Sequence, residues 1–407
     1  MSAPPKAPRL HKNLVAGVIE ALETAFAQNI YVDKVLERLL KQNKKWGSRD
    51  RSFVAENTYE IVRHWRFLWS LMDRSPSFKT KALYRLFGLW WRYQGHPLPD
   101  WPEFAVIRNL DLESPRQKMA SHLAIEESYP DWLYERAEAE LGDAWPEVAR
   151  ELNRPASLIL RTNTLRMSRP QLIDRLVQEK IQALPLPANE VGLILKERAN
   201  VFRLESFRQG FYEVQDGGSQ AIAPFLEVAP GQQVIDACAG AGGKALHLAA
   251  LMENRGRLLA LDVAEHKLAE LKKRARRNRV SNLDLRLIDS TKVIKRLHSQ
   301  ADRLLLDVPC SGTGVIKRNP DTKWKLQPEH LERTQRLQRD ILQRYAPMLK
   351  PGGKMVYATC SIFRSESEDQ VAGFLKQHPD FALEAETRVA PAAYSDGFYM
   401  ARLRREA

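Results

Sequence analysis

The sequence predicts an α/β protein in three parts: an all-helical N-terminal domain over 1–135, a helix with a small α/β connector over 136–213, and a doubly wound, mostly parallel sheet over 214–407. Three observations predict it. Residues 14 to about 92 carry apolar side chains at helical spacing almost throughout. From Gly231 onward, short apolar runs alternate with helical patterns, the rhythm of parallel strands joined by crossover helices. The first of those runs ends in the glycine-rich DACAGAGGK, Asp236 to Lys244, and a helical pattern opens directly after it. The length of 407 residues agrees, being too great for one compact core.

In the helical part, Val32, Val35, Leu36, Leu39 and Leu40 recur on one face, and Ser48 reads as the cap of a run from Phe53 to Met72. The polar face carries Lys41, Lys44, Lys45, Arg49, Arg51, Arg63 and Arg66, with Trp46, Trp65 and Trp69 interleaved. That pattern suits a surface for an RNA backbone, or equally a tryptophan core behind a solvated face. GHPLPDWPEF, Gly95 to Phe104, reads as a break, and Pro130 to Leu152 as further helix. In the connector, SLILRTN from Ser157 reads as a strand and Arg169 to Lys180 as a helix. Gly192 to Lys196 and Val201 to Leu204 read as two short strands. In the last part, strands are expected at Gln233 to Ala237, Arg257 to Leu261, Leu283 to Ile288, Arg303 to Leu306 and Lys354 to Ala358. Helices are expected at Lys244 to Met252, Glu265 to Arg279 and Pro328 to Leu349.

Composition narrows the function. Lys and Arg outnumber Asp and Glu by 63 to 50, a net charge of +13 that favours an anionic partner such as RNA. Three irregularly spaced cysteines, with no basic start leading into a long apolar run, argue against a secreted disulfide framework and for a reducing cytoplasm. No stretch approaches the roughly 20 apolar residues of a membrane span. No metal is expected, and the chain is expected to act as a monomer.

The chemistry-bearing residues gather at strand ends. Gly240, Gly242 and Gly243 let the backbone turn sharply and approach a ligand, a device shared by dinucleotide enzymes and methyltransferases. Asp262, nineteen residues after Gly243, ends the second strand where a carboxylate meets ribose hydroxyls. Asp289 and Asp307 end the next two strands. An acid at each strand end suits a ribose, an adenine amine and a cationic group better than it suits two phosphates, and S-adenosyl-L-methionine fits that description. Two of the cysteines, Cys310 in DVPCSGTG and Cys360 in YATCS, follow the fourth and fifth strands and so emerge at the same sheet edge. Carbon 5 of a cytosine is too electron-poor to take a methyl group until a thiolate has added at carbon 6. That requirement gives one thiol the attack and the other a part in release, with Asp307 holding the base. Lys244 reads as a group that orients the acid or lowers a thiol pKa, or as a solvent-exposed lysine beside a turn. KKRARRNR, Lys272 to Arg279, reads as a solvated helix face, and Lys317 and Arg318 as phosphate contacts.

DVPCSGTGVIKRNPDTKW, Asp307 to Trp324, YATCSIFRSESEDQV, Tyr357 to Val371, and SDGFYMARLRR, Ser395 to Arg405, resemble the RNA cytosine-5 methyltransferases of the RsmB/Nop/Sun family. The helical start, through VLERLLKQNKKWGSRDRSFVAENTYEIVRHWR, is similar to the NusB-like RNA-binding domain of bacterial members. The resemblance implies a class I, Rossmann-like methyltransferase domain behind an all-α NusB-like domain. It implies Cys360 as nucleophile and Cys310 as the residue assisting release, with Asp307 and Lys244 beside them. It places S-adenosylmethionine on Cys238, Ala239, Gly240, Ala241, Gly242, Gly243 and Lys244, with Asp262, Asp289 and Asp307. The implied product is 5-methylcytosine in RNA, foremost 16S ribosomal RNA, with tRNA or 23S ribosomal RNA as other substrates and a non-catalytic ribosome-assembly factor as the remaining reading. The sequence departs from the family where CAAPGGKT stands as CAGAGGKA and QDxSSQ as QDGGSQ, Gln215 to Gln220.

Overall fold

The structure, a computed structural model, describes residues 9–119 and 122–406; residues 1–8 of the expected helical domain, with 120, 121 and 407, lie outside the described residues. The chain divides into two compact units, 1–153 with 318–326, and 154–317 with 327–407.

The first unit is helical, built from Lys12–Ala27, Val32–Gln42, Ser48–Arg63, Trp65–Leu71 and Thr80–Tyr93, with Asp131–Leu141 and Trp145–Leu152 later. Ser48 proves to be the first helical residue and not the cap. Gly47 holds the cap position, its N–H donating to Asp50 Oδ2 at 2.9 Å. Of the interleaved tryptophans, Trp65 and Trp69 lie in the core with Val18, Leu22 and Leu68, so of the two readings the core one holds for these rings. Arg51 and Arg66 are likewise internal braces. Arg51 donates to the carbonyls of Leu40 and Trp46, and Arg66 to the carbonyl of Tyr129 and to Asp131.

The second unit holds two sheets. The smaller is antiparallel, ordered β2-β3-β1-β4, from β1 (Ile159–Thr162), β2 (Ala183–Pro185), β3 (Gly192–Leu195) and β4 (Tyr212–Val214), with helix Arg169–Gln178 packed on it. Val201–Arg203, expected as a strand, is instead one turn of 3-10 helix. Its apolar residues serve packing: Val201 is buried with Leu160, Leu172 and Tyr212.

The larger sheet runs β10-β11-β9-β8-β5-β6-β7. Its members are β5 (Gln233–Asp236), β6 (Arg257–Asp262), β7 (Leu283–Leu287), β8 (Ala301–Asp307), β9 (Leu349–Thr359), β10 (Phe381–Val389) and β11 (Phe398–Arg405). The pairings among β5 to β9 are parallel, while β11 is antiparallel to both β9 and β10. Alternation along the strands feeds two apolar layers. Leu304, Leu306, Met355 and Tyr357 face one, and Leu305, Val356 and Ala358 the other. The order reverses between β5 and β8, the point at which open α/β sheets gather ligands beyond their carboxyl ends. Among the described residues, no helix is long and apolar enough to cross a membrane.

Candidate active site

The glycine loop leaves β5 and enters helix Gly243–Leu251. Gly240 (φ 54°) and Gly242 (φ 90°) adopt left-handed backbone, and a Cβ on Gly242 would lie 2.0 Å from Leu271 Cδ1. The loop is tied from three sides. Gly240 N–H donates to Asp262 Oδ2 at 2.8 Å, Arg274 Nη1 to the Ala241 carbonyl at 2.7 Å, and Arg161 Nη1 to the Gly243 carbonyl at 2.7 Å. Ala241 is where the family carries proline. With no ring to stiffen the turn, the Arg274 contact restrains it, so part of KKRARRNR is a brace and not a solvated face. Arg274 and Arg277 both pair with buried Glu213, while Lys272, Lys273 and Arg276 are exposed. Ala245, at the departed threonine position, is fully buried.

A cleft of about 730 Å³ opens beside this loop, its wall including Cys238, Gly240, Asp262, Val263, Ile288 and Asp307. Asp289 is exposed, accepts from Ser290 Oγ and does not line the cleft. Ala239, Ala241, Gly242 and Gly243 shape the loop behind the wall. Burial, then the charges of Asp236, Asp307 and Asp262, push the Cys238 thiol well above its usual range, which keeps it protonated. Asp236, buried beneath the loop and, among the described residues, with no hydrogen-bond partner, is pushed up to about 7 by burial and then by Asp307.

Strands β8 and β9 are neighbours, with Asp307 opposite Ala358, and the two cysteines therefore leave the sheet side by side. Cys310 Sγ lies 3.1 Å from Cys360 Sγ and accepts from Cys360 N–H at 3.3 Å, and both thiols are free and half-buried. The hydrogen bond with Cys360, then burial, raise the Cys310 thiol well above its usual range. Lys244 Nζ sits 2.6 Å from Asp307 Oδ2 and 5.6 Å from the Phe398 ring centroid. Burial alone would lower the lysine's pKa, but Asp307 outweighs it and the net shift is upward. Lys244 is thus a half-buried partner of the acid, and its solvent-exposed reading is set aside.

Several residues escaped the sequence reading. Glu366 is fully buried and ties the two cysteine loops together: it accepts from Ser311 N–H at 2.8 Å, from the hydroxyls of Ser311 and Ser361 at 2.5 Å each, and from Gln338 at 3.2 Å. The signal was present, an acid six residues after Cys360, but of its partners only Ser361 is near in sequence, while Gln338 and Ser311 lie 28 and 55 residues away. Lys317, expected on a phosphate, is instead buried and donates to the carbonyls of Ala392 and Ser395. In QDGGSQ, Asp216 caps helix Gly217–Phe225, and a Cβ on Gly218 would lie 2.8 Å from Phe398 Cδ2, which accounts for the missing serine there.

Comparison with known proteins agrees with this geometry. A family model described as 16S rRNA methyltransferase RsmB/F matches residues 223–404, and one for the RsmF/B-like ferredoxin-like domain matches residues 129–202. The chain is 35% identical over 263 residues to the probable ribosomal RNA small subunit methyltransferase B of Bacillus subtilis, covering 64% of this chain and 58% of that protein. It is 34% identical over 284 residues to ribosomal RNA small subunit methyltransferase B of Yersinia enterocolitica, covering 68% and 66%. The matches span less than two thirds of these relatives' own lengths. Among solved structures, the protein PH0851 superposes with a TM-score of 0.78 at 25% identity, over 98% of this chain and 100% of that one. A methyltransferase homologue from Pyrococcus horikoshii gives 0.62 at 26%, over 70% and 98%. S-adenosyl-L-methionine is the cofactor of such a site, and the cleft fits it, with apolar Val263 and Ile288 for a base and the carboxylates of Asp262 and Asp307 for hydroxyls and a cationic centre. From the matched domains, the shared motifs and the agreement of fold, the chain belongs to the RsmB/F methyltransferase family.

Proposed function

We propose that the protein makes 5-methylcytosine in RNA, with 16S ribosomal RNA as substrate, through a covalent adduct between Cys360 and carbon 6 of the target base. The observation that carries this reading is the pair of free thiols 3.1 Å apart at the ends of adjacent parallel strands, beside an acid that is itself paired with a lysine. S-adenosylmethionine, when bound, supplies an electrophilic methyl group. Cys360 as thiolate adds its electron pair to carbon 6, and the ring electrons gather at carbon 5, which becomes the nucleophile. The Asp307 carboxylate accepts from the exocyclic amine and from the ring nitrogen, which takes up a proton from solvent as attack builds charge there, and Lys244 holds that carboxylate in place. Once carbon 5 is methylated, its proton passes to solvent water, the carbon–hydrogen electron pair re-forms the carbon 5–carbon 6 double bond, and the carbon 6–sulfur bond breaks with its pair on Cys360. Cys310, held protonated, donates to the Cys360 sulfur as it leaves. The helical part contributes RNA binding, and the target cytosine is unpaired or flipped out of its stack.

Incubation with RNA and the methyl donor tests these roles. C310A is expected to accumulate protein covalently bound to RNA, and C360A to lose adduct and methyl transfer together. Equal loss from both variants with no adduct contradicts the roles, and no tritiated methyl transfer to total RNA by the unaltered protein contradicts the activity, leaving an assembly factor. Bisulfite sequencing of RNA from cells with and without the gene identifies the cytosine and separates 16S from 23S ribosomal RNA and tRNA.

A further inference from the structure

The methyl-transfer reading leaves unused a feature of the first unit. Chain between helices Trp65–Leu71 and Thr80–Tyr93, with Arg85 from the second helix, encloses a concavity of about 270 Å³ whose polar lining is Arg74, Ser75, Ser77, Arg85 and Trp69. Every one of these groups can donate a hydrogen bond, and no carboxylate lies on the wall. Among the described residues, neither arginine has an ion-pair partner. Trp69 is 3% exposed and, among the described residues, its Nε1–H has no hydrogen-bond partner, a cost of burial that an acceptor in the concavity would relieve.

The residue after Ser77 is Phe78, a large aromatic ring left 42% exposed. It is not loose. Its ring stacks on Phe26, with centroids 5.8 Å apart and planes 9° apart, and lies 6.3 Å from Trp65 at 23°. A ring backed by half-buried Phe26 and buried Trp65 presents a fixed flat face, and Lys79 and Lys81 stand exposed directly beyond it.

We propose that this loop is a site for one nucleotide of single-stranded RNA, with a phosphate held by Arg74, Ser75, Ser77 and Arg85 and the adjoining base stacked on Phe78. Guanidinium and hydroxyl donors match phosphate oxygens, and a base-sized π-face matches any of the four bases, so the site is sequence-tolerant. An acidic peptide would use the cations but leave the supported ring without a partner, which favours RNA. The inference rests on the RNA reading proposed above, and adds where on the helical unit the strand is gripped.

The test uses the full chain and a fluorescein-labelled 12-nucleotide single-stranded RNA, followed by anisotropy across a salt series. R74A/R85A is expected to weaken binding about ten-fold and to lower the slope of log affinity against log salt by about 1, as removal of a phosphate contact does. F78A is expected to weaken binding about ten-fold at every salt concentration with the slope unchanged, since stacking carries no counterion term. F78Y is expected to restore it. K272A/R276A, which removes the same charge from the exposed helix face, is the control and should change affinity less than about two-fold. Ultraviolet cross-linking of a 5-bromouridine strand should map to residues 77–79. Wild-type affinity and slope in R74A/R85A and F78A, with correct folding verified by thermal melting, would overturn this site while leaving RNA methylation standing. Tighter competition by a polyglutamate peptide than by RNA would overturn it in favour of a protein partner. Failure of the unaltered protein to bind or methylate RNA would overturn the underlying function instead.

Discussion

Asp236 shows how one buried side chain sets a pH dependence. It is 1% exposed, among the described residues neither carboxylate oxygen has a hydrogen-bond partner, and burial raises its pKa from an ordinary carboxylate value to about 7. Because the folded pKa lies above the unfolded one, its contribution to stability is full below about pH 4 and is lost as pH rises toward 7. Three pKa units correspond to about 4 kcal/mol, the net of burial and Asp307 against the attraction of Lys244 for the ionised form. Thermal melts of wild type and D236N between pH 5 and 8 should therefore diverge, wild type losing stability relative to the amide as pH rises. Parallel curves would show that Asp236 does not titrate in that window. DACAGAGGK displayed this acid from the start, but its protonation follows from burial that no linear pattern reveals. The same holds for Trp65 and Trp69, whose helical spacing fitted a surface and a core equally well until packing placed them inside.

At the scale of elements, the sheet was largely legible. Apolar runs gave β5 to β9 to within a few residues, except that β9 begins at Leu349 and not near Lys354. Val201–Arg203 was misread because a single helical turn and a short strand both look like a brief apolar run when burial comes from neighbours. The coupling of the two cysteine loops was not legible. Glu366 joins the loop after β8 to the loop after β9, and its three serine-derived bonds hold Ser311 and Ser361, the residues directly following the two thiols. E366A should destabilise the protein by about 2–4 kcal/mol, since it removes the acceptor of the part-buried Ser311 N–H and leaves the Ser311 and Ser361 hydroxyls only each other and Thr313. E366Q keeps the shape and is expected to cost about ten-fold in kcat with affinity for S-adenosylmethionine unchanged, because misplaced thiols impair attack while the cofactor cleft stays intact. Donor titration beside single-turnover methylation checks this, and a loss of donor affinity equal to the loss of rate would assign Glu366 to the cofactor cleft instead.

At the scale of the molecule, residues 318–326 belong to the first unit although the chain on either side belongs to the second. Helix Thr322–Lys325 is fastened among the N-terminal helices. Trp324 Nε1 donates to the Val62 carbonyl at 2.8 Å, and Asp321 accepts from Val32 N–H at 2.8 Å. The Lys323 ammonium, fully buried, donates to the carbonyls of Arg63 and Glu127 and to Asn153 Oδ1 at 2.8 to 3.0 Å. Burial and then Arg63 push its pKa well below the ordinary value. Trp324 is the only tryptophan after residue 153, so a fragment 154–407 carries a single reporter of this fastening. Its emission should be that of a solvent-exposed indole, shifting to the blue when fragment 1–153 is added. A buried-type spectrum in the isolated fragment would show that the segment finds other packing.

By itself the sequence determined the secondary-structure rhythm, the strand ends that carry chemistry and the family, because periodicity, glycine spacing and short motifs are local properties of the chain. Only the tertiary structure decided which polar residues touch: that two thiols fifty residues apart meet at 3.1 Å, that Glu366 binds both of their loops, and that Lys323 is sealed among N-terminal helices. The physical reason is that burial and hydrogen-bond partnership depend on which segments pack together. Residue types at fixed spacing state what a side chain is able to do, and its surroundings select which of those things it does.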